Sequence, residues 1–380
     1  MSFTSLALVV VVGLLGPLLS ARASWRVPVV AGEMLGGLII GSTGFQLVNA
    51  QQGGFFLLGQ IGFGLTMVWV GSTIPLRDPR LRAALGRGLV GAFLVGICAV
   101  ALAMLIVSVF HVGNAFVFAI VIASSSASLV LPMLPSVGLS PASVSQLIAQ
   151  VTIANVVAVV VLPLASDPTH ALHAAIGVGI IAGVSIGLAW LLRRVNWESA
   201  RARVHAYSER RRFALELRIT LLTLFVFAAI AEKANLSVMI AGFALGLVLS
   251  SIGEPRRLAR QLFGMTEGFF GPIFYVWLGA SINVRALGSH PEMIALGLAL
   301  GLAAIVAHLP SRIVGLSWAH SVAAAGQMGV PVAAVTLGIQ QGTLAPGEDA
   351  ALLLGALITI AVTTFSIARS ARNTLSVVSP

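Results

Sequence analysis

Thirteen times between Phe3 and Ile367 the chain enters a mostly apolar run of fifteen to twenty-six residues, and the basic residues fall almost entirely in alternate gaps between these runs. A helix needs roughly 20 mostly apolar residues to cross about 30 Å of hydrocarbon, so the pattern predicts an all-α protein that crosses a membrane many times. The runs are Phe3–Leu19, Val27–Gly41, Phe55–Leu76, Leu85–Phe110, Asn114–Leu134, Ser145–Ala165, Ala171–Leu192, Leu217–Ala231, Leu236–Ile252, Gly268–Ile282, Met293–Leu309, Ala319–Ile339 and Ala350–Ile367. Composition agrees: with 58% apolar residues, 9% charged residues and a mean hydropathy of +1.02, 380 residues could not clothe a soluble surface. The single cysteine, Cys98, excludes a disulfide within the chain and any cysteine-built metal site.

Orientation follows from arginine and lysine bias across the loops. With the N-terminus outside, the inner gaps hold Arg22 and Arg26; Arg77, Arg80, Arg82 and Arg87; the arginines from Arg193 to Arg218; Arg256, Arg257 and Arg260; Arg312; and Arg369 and Arg372. Of the 22 basic residues only Lys233 and Arg285 remain outside, where Asp167, Glu232, Glu292, Glu348 and Asp349 also lie. The reading is thirteen spans, N-out and C-in. The net charge of +10 then reflects topology and anionic inner-leaflet lipid, with no nucleic-acid partner implied. The first span has its arginines after the apolar run, which predicts a retained helix rather than a cleaved signal. Residues 1–192 form a first transmembrane half, 193–218 a linker helix on the cytoplasmic surface with arginines alternating with Glu198, Glu209 and Glu216, and 219–380 a second half.

Two runs are apolar enough for a bilayer yet built to break. Phe116–Val137 carries Ser124, Ser125, Ser126 and Ser128 in its middle and Pro132 and Pro135 beyond. Ser321–Ile339 is interrupted by Gly326-Gln327-Met328-Gly329-Val330-Pro331. Proline removes a backbone donor and clashes with the preceding turn, while hydroxyls can serve the carbonyls so freed. The two segments lie seven runs apart, an odd offset that makes the second enter from the opposite side. Interrupted segments at corresponding positions of two halves point to inverted repeats and a binding site at mid-membrane depth.

Polar side chains within the runs are few, and each is a candidate for function. Glu33, His308 and Arg312 are candidates for a proton-carrying or a structural role, with Glu267 at a boundary. Gln146, Gln150 and Asn155 in the sixth run, and Gln327 in the twelfth, are neutral. Together with Ser124–Ser128 and freed carbonyls, these amides supply the hard oxygen donors that a desolvated monovalent cation requires, Asn155 foremost. They serve equally well as hydrogen-bonding glue between helices. The Gly32/Gly36 and Gly37/Gly41 spacings let helices approach closely. No histidine pair, cysteine or carboxylate pair converges in any span, so an enzyme is not expected, and neither is a cofactor.

Several stretches resemble the monovalent cation/proton antiporters of the bacterial potassium-efflux and sodium/proton exchanger type. They are Pro28–Gly41, Ala123–Pro132, Phe269–Gly279, with its Phe-Phe-Gly-Pro-Ile-Phe run, and Arg312–Trp318 leading into Ala325–Pro331. The resemblance spans nearly the whole chain in the family's order. It implies a core domain with two crossed discontinuous helices beside a dimerisation domain, a homodimer in a bacterial cytoplasmic membrane, and an elevator motion that exchanges a sodium or potassium ion for protons. It also places the ion site among Ser124, Ser125, Ser126, Ser128, Gln150, Asn155 and Gln327.

The departures from the family are chemical. Its ion-binding aspartate falls on Asn155, the residue before it on Ala154, and a frequent glutamate on Gln327, and neither amide can release a proton. Three accounts stay open: an isosteric replacement that traps one state, a natural member with altered coupling, or a non-transporting regulator that kept the fold. An organic-anion symporter on the related crossed-helix fold is the alternative transporter, since fold alone does not fix function.

Overall fold

The computed structural model describes residues 1–21, 29–74, 76–130, 141–166, 171–194, 214–234, 236–253, 256–282, 285 and 289–378. In chain order they form α1 (Phe3–Gly13), α2 (Leu15–Ser20), α3 (Val29–Ile40), α4 (Gly53–Ser72), α5 (Pro79–Phe110), α6 (Ala115–Ala123), α7 (Ala127–Val130), α8 (Pro141–Ser166), α9 (Ala171–Arg194), α10 (Leu215–Lys233), α11 (Val238–Ile252), α12 (Arg256–Met265), α13 (Gly271–Ser281), α14 (Pro291–His308), α15 (Trp318–Ala324), α16 (Gly329–Gln341) and α17 (Glu348–Val378). A π turn, Thr266–Phe270, joins α12 to α13, and a 3-10 turn, Leu309–Val314, follows α14. No strand occurs among the described residues. The expected linker helix falls largely at 195–213, and Pro132 and Pro135 at 131–140; both stretches lie outside the described residues.

Eight helical stretches among the described residues are long and apolar enough to cross a bilayer, with shorter apolar helices at Val29–Ile40 and Val238–Ile252. The protein is therefore a multi-pass integral membrane protein. The three other expected runs have visible reasons for falling short. Helix α10 carries Glu216, Arg218, Glu232 and Lys233, α13 has 11 residues, and α6 stops at Ala123.

The helices gather into two compact units, each drawing on both halves of the chain: Met1–Arg77 with Thr169–Ser281, and Asp78–Pro168 with Ile282–Pro380. In the first unit, α4 packs on α11 and α13, and α3 packs on α13, α1 and α2. Glycine makes these contacts possible: a Cβ on Gly242 would run into the backbone carbonyl of Gly64, and one on Gly246 into that of Val68. The two glycine pairs of α3 serve different neighbours. Gly32 and Gly36 meet the backbone at Leu15–Gly16 and Val12, whereas Gly37 and Gly41 meet Val276 and Ala280. The π turn sits just before Pro272, whose missing N–H and bulky ring disfavour a regular α-turn there. Beyond it, Phe274 stacks on Phe63 at 4.8 Å between centroids, and the Trp277 indole N–H donates to the Ala50 carbonyl at 2.9 Å.

In the second unit, α5 packs on α6, α8 and α14, while α17 runs along α14 and also covers α15 and α16. Helix α8 lies against α6, α7, α15 and α16, which are the four pieces of the two interrupted segments. Around this junction Val130, Leu147, Val151, Leu316, Ala323 and Ala324 form a buried apolar cluster.

Candidate functional site

The first interruption begins with a well-anchored helix. Asn114 caps α6 by accepting from the N–H groups of Phe116 (2.9 Å) and Val117 (3.4 Å), and its Nδ2 donates to the Ala165 carbonyl at 3.1 Å. The helix ends at Ala123. Ser124 turns extended, and both its N–H and its hydroxyl return to the Val121 carbonyl, at 3.1 and 2.8 Å. Ser126 N–H, which in a continuous helix would serve Ile122, donates instead to the Gly326 carbonyl at 2.8 Å.

The second interruption mirrors this. Ser317 caps α15, which ends at Ala324, and Gly329 opens α16 with Pro331 in its first turn, where a missing N–H costs nothing. Glycine at position 326 leaves room for its neighbours: a Cβ there would press on the Leu129 side chain at 2.9 Å and on the Thr363 hydroxyl at 3.0 Å.

Each break thus strands a carbonyl, and each stranded carbonyl is satisfied by a side chain of the other. Ile122 C=O accepts from Gln327 Nε2 at 3.2 Å, and Ala324 C=O accepts from the Ser125 hydroxyl at 2.6 Å. His308, fully buried, stands behind Ser125. Its Nδ1 donates to the Ala304 carbonyl at 2.7 Å, and its Nε2 lies 3.2 Å from Ser125 Oγ.

The remaining expected residues divide. Asn155, on α8, is 3% exposed, and its Nδ2 has no hydrogen-bond partner among the described residues. A buried amide N–H left unpaired costs about 1–3 kcal/mol, and the group that would complete it is a hydrogen-bond acceptor. Gln146 and Gln150 instead reach the 3-10 turn, donating to the Val314 carbonyl and the Ser311 hydroxyl, each at 2.7 Å. Arg312 lies over the Trp318 ring at 4.0 Å, a cation–π contact away from the breaks' own hydrogen bonds. Glu33 belongs to the other unit, buried in α3 against Gly16 of α2. The side chain of Ser128 lies outside the described residues.

Sequence reasoning missed Thr359 and Thr363 of α17, which contact the second break at Gln327 N–H (3.2 Å) and the Val322 carbonyl (3.2 Å). The hydroxyls of Thr359 and Thr363, four apart in a run whose other polar residues are Thr364 and Ser366, were the available signal. Among the described residues, no group of three or more His, Cys, Asp or Glu converges to hold a metal ion.

Set beside known proteins, residues 7–372 match the model of a family described as sodium/hydrogen exchanger, transmembrane. Over 94% of its length the chain is 24% identical to the putative Na(+)/H(+) antiporter YjbQ of Bacillus subtilis, and over 38% it is 28% identical to the high-affinity Na(+)/H(+) antiporter NhaS3 of Synechocystis. It spans 61% of the length of the first of these relatives and 33% of the second. Its fold is similar to that of the sodium proton antiporter MjNhaP1 from Methanocaldococcus jannaschii, with a TM-score of 0.65 at 18% identity, covering 97% of this chain and 96% of that one.

Proposed function

We propose, from the premise that this chain belongs to the sodium/hydrogen exchanger transmembrane family, that it is a secondary transporter of sodium or potassium ions whose cation binds where the two breaks meet. The observation that carries this reading is the place of Asn155: a buried amide on α8, the helix that packs against all four described pieces of the interrupted segments. Its Oδ1 and the Gln327 Oε1 are the neutral ligands, joined by backbone carbonyls and by Ser124 and Ser126 at the first break. Ser125 is given over to Ala324 and His308, while Gln150 gives its Nε2 to Ser311 and keeps an Oε1 without a hydrogen-bond partner among the described residues.

Because neither amide releases a proton, proton coupling through this site is weak in the chain as it stands. The wider frame is thirteen spans with the N-terminus outside, two inverted repeats, a homodimer in a bacterial cytoplasmic membrane, and an elevator motion of the unit holding the breaks. Support for it comes from the alternation of arginines and from the resemblance across the chain.

The test is uptake of radiolabelled sodium or potassium into proteoliposomes. The parent protein takes up cation saturably, and Asn155→Leu, branched in the same way but bulkier and without an oxygen, lowers uptake by about tenfold or more. Uptake of an organic anion instead, or cation uptake indifferent to Asn155→Leu, would remove the site from consideration.

A further inference from the structure

The last helix presents two hydroxyls to the neighbourhood of the second break, and one of them reaches Gln327. Thr359 and Thr363 of α17 lie four residues apart on one face, and both are completely buried. Thr363 donates to the Val322 carbonyl at 3.2 Å, on the α15 side of the second break. Thr359 Oγ1 works in both directions, donating to the Ala356 carbonyl at 2.8 Å and accepting the Gln327 backbone N–H at 3.2 Å. Thr364, one position on from Thr363, only returns to the Ile360 carbonyl in its own helix.

Gln327 is consequently held at two points. Its backbone N–H is fixed to α17 and its side-chain Nε2 to the Ile122 carbonyl of the first break. With Nε2 so engaged, the amide has one direction left for Oε1, which accepts no hydrogen bond among the described residues. A donor atom whose direction is set before the ion arrives binds it without a further ordering cost.

We propose that Thr359 is a positioning residue for the cation site, fixing the Gln327 backbone so that its Oε1 is presented to the ion, which makes α17 a working part of the site. This rests on the reading of the breaks as the cation site. Thr363 bonds the α15 side of the break at Val322 and lies outside the cation site, making no hydrogen bond to Gln327 among the described residues, and so supplies the internal comparison.

The experiment uses the full chain in proteoliposomes, with the KM and maximal rate of sodium uptake measured for Thr359→Val, Thr359→Ser and Thr363→Val. Thr359→Val raises KM about tenfold, the size expected when one buried donor loses its acceptor, while the maximal rate changes less than about twofold. Thr359→Ser, which keeps the oxygen, restores KM, and Thr363→Val leaves it within about twofold. A KM unmoved by Thr359→Val, unrestored by Thr359→Ser, or raised equally by Thr363→Val would overturn the proposal. Should Thr359→Val fail to insert, Thr359→Ala removes the same acceptor without filling space. Absence of saturable cation uptake by the parent overturns the cation reading instead. Hydrogen–deuterium exchange then decides the positioning role: faster exchange at Gln327 in Thr359→Val, reversed in Thr359→Ser, supports it, and unchanged exchange defeats it.

Discussion

In proteoliposomes carrying Asn155→Asp, an imposed sodium or potassium gradient drives proton movement that the parent chain supports weakly or not at all, a gain of about tenfold or more. The substitution keeps the size and one oxygen of the side chain and adds what the amide lacks, a second protonation state. A carboxylate that holds either a proton or a cation makes the two compete for one place, and competition at one place is what couples opposite fluxes. The gain passes through a maximum with pH, because the carboxylate must lose its proton to take the cation and regain one to complete the cycle. Proton flux measured with an entrapped pH-sensitive dye, with and without the gradient, gives the result directly. If Asn155→Asp moves no more protons than the parent at any pH, the coupling site lies elsewhere in the chain.

A large effect on stability is expected at Gly242, far along the sequence from the breaks. A Cβ at Gly242 would meet the carbonyl oxygen and carbon of Gly64, and backbone cannot swing aside as a side chain can. Gly242→Val therefore forces α4 and α11 apart along an interface that Gly71 and Gly246 also keep free of side chains, at a cost of about 3 kcal/mol or more. Thermal unfolding in detergent shows a markedly lower midpoint. Gly183 of α9 is the control, since a Cβ there has nothing within 4 Å. Gly183→Ala is expected to be neutral or to stabilise by roughly 0.5–1 kcal/mol, the difference in helix preference between the two residues. Equal sensitivity at the two positions would show that close backbone approach is not what Gly242 provides.

How far the sequence announced this arrangement depends on whether the relevant force is local. The breaks could be read directly: consecutive serines, and glycine beside proline, are unfavourable in the middle of a helix wherever it is placed. The structure interrupts the helices at Ala123 and Ala324, inside the segments so marked. The membrane-crossing character was legible for the same reason, since the hydrophobic run is a property of the segment alone. Partners were not. Gln146 and Gln150 read as cation-ligand candidates beside Asn155, yet their Nε2 atoms turn to the 3-10 turn, because its Val314 carbonyl and Ser311 hydroxyl became available only when α14 ended near Pro310. Thr359 and Thr363 were hidden because threonine in a membrane helix commonly satisfies itself on its own preceding turn, as Thr364 does. Only the position of the second break, some thirty residues earlier in the chain, distinguishes them.

The mutual hydrogen bonds between the breaks also set an order of events during synthesis. Ser125 finds its carbonyl 199 residues later, and Ile122 waits 205 residues for the amide that satisfies it. At about 5–20 residues per second, the ribosome needs roughly 10–40 s to supply them. Throughout that interval the newly inserted first half holds a segment whose loose polar groups have no permanent counterpart. It must stay wound as an ordinary helix, or shelter beside water or the insertion machinery, until the C-terminal third arrives. A nascent chain stalled before Ala324 should consequently be a poorer substrate for stable insertion than its hydrophobicity alone would suggest.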